Sequence, residues 1–274
     1  MCCVVFRADS VRGWLNNFIT SEQDINMTPD NKQTKLLRCL LWLVCSIVLI
    51  MMTPYTFAET TVSLPPSADL DYVVRANYTA MSIGGTSSIK WTHSGSEYSM
   101  KSSARANMIG QLLETSSAGR VDSKGLKPTL FTEKRRSREE TRTTFDHHGQ
   151  TLTFSDSGES LPFSNGIQDQ ASIVWQLASI ARTMPEKFSP GNKLTFMVSG
   201  RNRIDSWNFT VVDTTTIQSA LGEIETVHLI RTDKRGKTTE VWLAPDREWY
   251  PVRLIFFDQK GLRLEQLIKK ITPK

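Results

Sequence analysis

Residues 171–184 read ASIVWQLASIARTM, and they are the one segment beyond residue 69 with a helical repeat. Ile173, Val174, Leu177, Ile180, Ala181 and Met184 recur every three to four positions, which places them on one stripe of a helix. Asp169 stands where its carboxylate can accept the free amides of a first turn. Pro185 ends the segment, because its ring has no amide to donate and clashes with the preceding turn. The spacing predicts a helix over Ala171–Met184.

On both sides of this helix the repeat is two. Tyr72, Val74, Ala76 and Tyr78 alternate, and Gly84-Gly85 is expected to end that segment. Ile89 and Trp91 follow, then a His93–Ser96 turn, then Tyr98 and Met100 on one face of 97–105. Residues 128–144 supply one long or two shorter strands, and 151–154 and 161–163 finish the first half. After the helix come candidate strands at 193–199, 206–213, 224–231, 238–243, 251–257 and 262–268. Lys234–Lys237 and Gln259–Gly261 read as hairpin turns. About a dozen strands with one helix predict a mainly β, β-rich α+β domain over 69–274. A sheet of that size must curl or close. The expected form is a large curved antiparallel sheet or half-barrel, with the helix packed against or plugging its concave face.

Upstream, residues 36–52 read LLRCLLWLVCSIVLIMM, with Lys32, Lys35 and Arg38 at the front and Thr56-Phe57-Ala58 behind. A positive n-region, a short apolar core and small residues at a cut form the layout of a secretory signal. The apolar run after Arg38 falls short of the roughly 20 residues a spanning helix needs. The expectation is an N-terminal targeting region over 1–58, cleaved after Ala58, with an uncleaved inner-membrane anchor as the alternative. Met27 stands where a normal n-region would start, and is read as the true initiator; a short cytosolic tail is the other reading. Residues 59–68, with Pro65-Pro66, are expected to be a flexible lead-in. All four cysteines lie before residue 58, so disulfides, thiol catalysis and cysteine-held zinc are excluded from the domain. Neither Cys39 nor Cys45 follows the small residue that lipidation wants, so no lipid anchor is expected. The net charge of +5 is mildly basic, below the density of a nucleic-acid binder, and export argues against nucleic acid too. The periplasm is the expected compartment.

Several groups of residues resemble a bacterial family, Domain of Unknown Function 3108. These are Gly119 with Gly125-Leu126-Lys127-Pro128, then Gln168-Asp169 through Ser172 to Gln176-Leu177, and Pro190-Gly191. The most specific are Thr239-Glu240-Val241-Trp242-Leu243-Ala244-Pro245-Asp246 followed by Pro251-Val252-Arg253. The resemblance covers most of residues 70–272 and implies a cell-envelope protein of Gram-negative bacteria with no assigned reaction. The strand–helix–strand layout is also similar to the half-barrel of lipoprotein carriers, an architectural analogy without a shared motif.

The chain holds few patterns that carry chemistry. His147 and His148 would face opposite ways on a strand, and with Gly149 they read as a solvated turn rather than a metal site. No G-x-S-x-G elbow is present, Gly84-Gly85 is no phosphate loop, and Glu139-Glu140 would diverge on a strand. No enzyme activity, cofactor or metal is expected, although carboxylates that meet only in space would support a hydrolase. Lys134, Arg136 and Arg138 would share one face of an extended strand, continued by Arg142. That row suits lipid head-group phosphates or, alternatively, a solvated outer face that blocks strand addition. Glu240 and Trp242 share a face, and Arg253 follows on the next strand. They predict a cross-strand ion pair beside an aromatic wall that fixes the hairpin, or else the mouth of a ligand cavity. The expected function is that of a non-enzymatic envelope protein binding a lipid or other amphiphile, with an assembly or scaffold role through protein contacts as the alternative.

Overall fold

The computed structural model describes residues 62–274 apart from 79, 80 and 259. The expectations on the targeting region, on Ala58 and on Met27 lie outside the described residues. No helix among the described residues is long and apolar enough to cross a membrane.

The chain forms β1 (Ala68–Tyr78), β2 (Met81–Ser94), β3 (Glu97–Ala106), β4 (Gly110–Asp122), β5 (Gly125–Arg135), β6 (Thr141–Asp146), β7 (Thr151–Phe154) and β8 (Ser160–Pro162). A short β9 (Gln168–Asp169) leads into the helix α1 (Ser172–Thr183). Then follow β10 (Lys193–Ser199), β11 (Ile204–Ser219), β12 (Gly222–Thr232), β13 (Thr238–Ala244), β14 (Tyr250–Phe257) and β15 (Leu262–Pro273). All fifteen strands of the described residues belong to one sheet, ordered β8-β7-β6-β5-β4-β3-β2-β1-β15-β14-β13-β12-β11-β10-β9. Neighbours are antiparallel throughout, except that β9 runs parallel to β10. Two meanders thus form two arms, joined in the middle by the long β1–β15 pairing, and the sheet does not close into a barrel.

The helix lies between the arms, as the apolar stripe requires. Trp175 stacks on Trp91 of β2, ring centroids 4.3 Å apart and 6° from parallel, and meets Tyr250 of β14 edge-on. Ile173, Leu177, Ala178 and Ala181 pack instead with Trp207, Phe209, Val211, Leu229 and Val241 of the second arm. Each large apolar side chain removed from water here contributes about 1.5–3 kcal/mol. Arg182, in the last turn, pairs with Glu248 of the β13–β14 turn.

Two local expectations are corrected. Gly84-Gly85 does not end a strand but sits inside β2. A Cβ on Gly85 would lie 2.2 Å from the Arg105 carbonyl oxygen, so glycine is there to let two backbones approach. The strands expected at 206–213 and 224–231 extend into the longer β11–β12 hairpin. A bulge between Val211 and Asp213 inserts one residue and moves the odd-numbered positions of β11 to the opposite face. The outer half of the hairpin therefore packs Ile217 and Ile224 near Trp242 and Ile255.

Candidate functional site

The family-like residues before and within α1 form a buried polar clamp. Gln168 Nε2 donates to the Leu126 carbonyl (2.7 Å), while Gln176 Oε1 accepts the Leu126 amide (2.7 Å) and its Nε2 donates to the Lys124 carbonyl (2.9 Å). Gly125 has φ +111° and lies against the Gln176 amide, where any Cβ would come within 2.3 Å. Asp169 Oδ1 accepts the amides of Ala171 (2.8 Å) and Ser172 (2.7 Å), the anticipated capping role, though the helix begins one residue after Ala171. Its Oδ2 accepts from the Ser117 hydroxyl (2.6 Å), which leaves the Tyr98 hydroxyl to donate to Ser117 (2.9 Å). Asp169 is fully buried, and burial raises its pKa to about 6 despite these donors. Burial, with Asp169 nearby, also pushes the Tyr98 hydroxyl well above its ordinary value. The clamp fixes α1 to the first arm, and with it one wall of a cleft.

That cleft, about 390 Å³, lies between the arms and the first half of α1. Ile89, Met100, Phe131, Trp175, Trp207 and Phe209 give it an apolar lining. Leu113 and Gln266 also line a smaller apolar pocket of about 160 Å³, walled by Val74, Ile83, Ile109 and Leu112, so the two spaces adjoin. The charged lining comes in pairs two residues apart, hence on one face of each segment. Glu133 and Arg135 meet at 2.7 Å, Arg203 and Asp205 at 2.6 Å, and Arg231 and Asp233 only at 3.7 Å. Arg231 lays its guanidinium over Trp207, 3.7 Å from the ring centroid, is 5% exposed, and its Nε has no partner. Burial lowers its pKa; Asp233 and Asp205 offset this in part, and Arg203 adds to it.

The residues singled out from sequence fall elsewhere. Glu240, Trp242 and Arg253 do come together, on the face away from the helix, since Val241 and Leu243 pack on the α1 side. The anticipated Glu240–Arg253 pair is absent: Arg253 stands directly opposite Trp242, its guanidinium 4.7 Å from the ring, and bonds Glu265 at 2.6 Å. Glu240 accepts instead from His228 Nε2 (2.9 Å), whose ring stacks on Trp242 at 4.1 Å. This cluster borders an outer depression of about 500 Å³ with Thr215–Gln218, and not the cleft. Lys134, Arg136 and Arg138 are exposed, but β5 stops at Arg135 and Ser137 turns with φ +59°, so they form no single strand row. Arg135, which sequence reasoning passed over, is the member of that run that lines the cleft. His148 is exposed, as expected of a turn; His147 is half-buried, with Nε2 2.6 Å from the Pro128 carbonyl and its ring against Phe145 and Phe163.

Among the described residues the architecture is thus an open, curled antiparallel sheet with one main helix and a half-apolar cleft between its arms. The sequence matches the family model for a protein of unknown function (DUF3108) over residues 71–266, and the chain belongs to that family. No curated protein matches it. Among solved structures, it is similar to a β-barrel-like protein of Domain of Unknown Function DUF1849 from Brucella abortus, with 10% identity and TM-score 0.54 over 78% of this chain and 100% of the other. It has looser likenesses to a DUF1089 family protein from Pseudomonas aeruginosa (14% identity, TM-score 0.36, 61% and 87% covered) and to a LolA superfamily protein from Nitrosomonas europaea (12%, 0.28, 79% and 90%). The first shows a shared fold; the other two carry no argument.

Proposed function

We propose that this chain is an exported, non-enzymatic protein of the bacterial envelope that holds one amphiphile in the cleft between the sheet arms. The observation that carries this reading is the cleft itself, whose volume falls in the roughly 300–1,000 Å³ range of small-molecule sites and whose lining is apolar with charged pairs. The cleft carboxylates Glu133 and Asp205 are already hydrogen-bonded to arginines, and Asp233 accepts the amides of Arg235 and Lys237. These acids are engaged in holding the site rather than set for acid–base work. Head-group contact by Lys134, Arg136 and Arg138 belongs to this proposal as an outer, electrostatic guide toward the same end of the sheet as Arg135.

Native mass spectrometry of the protein purified from the periplasm of its host, followed by organic extraction, tests the reading. A stoichiometric acyl-bearing species is the expected result. Purification free of any amphiphile, together with a constant envelope protein partner, would instead favour the scaffold role.

A further inference from the structure

We infer that Arg231 is an anion-binding residue inside the cleft, and that the amphiphile it selects carries one anionic head group, a carboxylate or a phosphate, on an apolar chain. The inference rests on the amphiphile reading and adds the chemistry of the ligand. Arg231 projects from β12 on the same face as Leu229, into the space lined by Trp207 and Phe209. A buried guanidinium is normally satisfied by close carboxylate or carbonyl oxygens, because an unpaired buried charge is costly. Among the described residues the only acid it pairs with is Asp233, at 3.7 Å, and one Asp233 oxygen is already held by the Arg235 and Lys237 amides. Asp205 is taken by Arg203 at 2.6 Å, and Glu133 by Arg135 at 2.7 Å. The Arg231 Nε donor, buried and without a partner, thus lacks an acceptor in a side chain that lines the cleft, while the acids nearby are already engaged. Trp207 lies under the guanidinium, 3.7 Å from Cζ to the ring centroid, and this contact restrains the side chain against swinging. A carboxylate or phosphate oxygen would complete the fork, with the apolar chain running past Phe131 and Trp175 toward the smaller pocket beyond Leu113.

The test measures binding of palmitate, hexadecyl phosphate and hexadecanol to the delipidated protein and to Arg231→Gln. The expected result is at least about tenfold tighter binding of one or both anions than of the alcohol by the native protein. In Arg231→Gln that preference should vanish while hexadecanol binding is unchanged. Preference for palmitate marks a fatty-acid source, and preference for hexadecyl phosphate a phospholipid-derived one. Equal affinity for all three in the native protein, or an anion preference that survives in Arg231→Gln, overturns the assignment but leaves the cleft a lipid site. Binding of none of the three overturns the amphiphile reading as well. Should Arg231→Gln not fold, Arg231→Lys takes its place: the anion preference should fall because the forked donor is lost, and an undiminished preference overturns the assignment.

Discussion

Among the described residues two arginines lie over two tryptophans, one on each face of the second arm, and they differ in what completes them. On the outer face, Arg253 over Trp242 bonds Glu265 at 2.6 Å, Arg263 bonds the same carboxylate at 2.7 Å, and His228 covers the other side of the ring. On the cleft face, Arg231 over Trp207 has only a distant carboxylate and an unused Nε donor. The same residue types serve architecture where they are closed among themselves and mark a site where they are left open. The most specific family motif, Glu240 to Arg253, encodes the closed member of the pair.

The contrast can be broken from its strongest side first. Trp242→Ala should cost about 3–5 kcal/mol in urea denaturation, as for other large buried aromatics, with amphiphile binding by the fraction still folded unchanged. The charge side of the contrast is sharpened by pH. Burial opposes the Glu265 carboxylate, but hydrogen bonds from Arg263 and Arg253 outweigh it and hold its pKa below the ordinary 4.5. Its stabilisation is therefore present at neutral pH and is lost as pH falls through the folded value. Asp169 behaves oppositely: with its pKa raised from 3.8 to about 6, the folded chain holds a proton that the unfolded chain has released between those values. Its contribution is fully present below about pH 4 and declines as pH rises to about 6, by up to about 3 kcal/mol. Asp169→Asn should flatten that decline in denaturation curves taken across pH 4–7. Glu265→Gln should cost about 1–2 kcal/mol at pH 7, since two arginines lose their shared acceptor. Arg231→Gln should change stability least, within about 0.5 kcal/mol or in the stabilising direction, because it removes a buried charge that the fold does not satisfy. A loss as large as that of Glu265→Gln would show that Arg231 is architectural too, and the contrast would collapse.

The helix, the alternating strands and the curled sheet were legible because their signals are local, repeating at 3.6 or 2 residues around Ile173–Ala181 and Tyr72–Tyr78. The Gly84-Gly85 error shows the limit of that signal, since a glycine that admits a neighbouring backbone looks the same in sequence as one that turns the chain. The outer cluster was half legible. Face-sharing by Glu240 and Trp242 follows from alternation, but the partners of Arg253 depend on the register with β15 and on the bulge after Trp242. Arg231 gave no signal at all. It stands between Ile230 and Thr232 without a motif, and its meaning comes from Trp207 on β11, brought alongside by strand pairing, and from a carboxylate too far away to close on it. The basic run misled for a related reason: periodicity carried the strand through Arg138, whereas the chain turns after Arg135 and only that last strand residue reaches the cleft.

The pairing of β1 with β15 sets the order in which the domain can be finished. During synthesis β1 has one neighbour, β2, soon within reach, but its other edge waits for the twelve residues of β15 near the end of the chain. Until then each meander can form its own hairpins, yet no backbone ladder joins them, and the entropy of closing so long a loop is met in a single late step. The seam made last lies at the centre of the sheet rather than at its rim. Damage to the final strand therefore divides the sheet in two, where most sheets would only lose an edge.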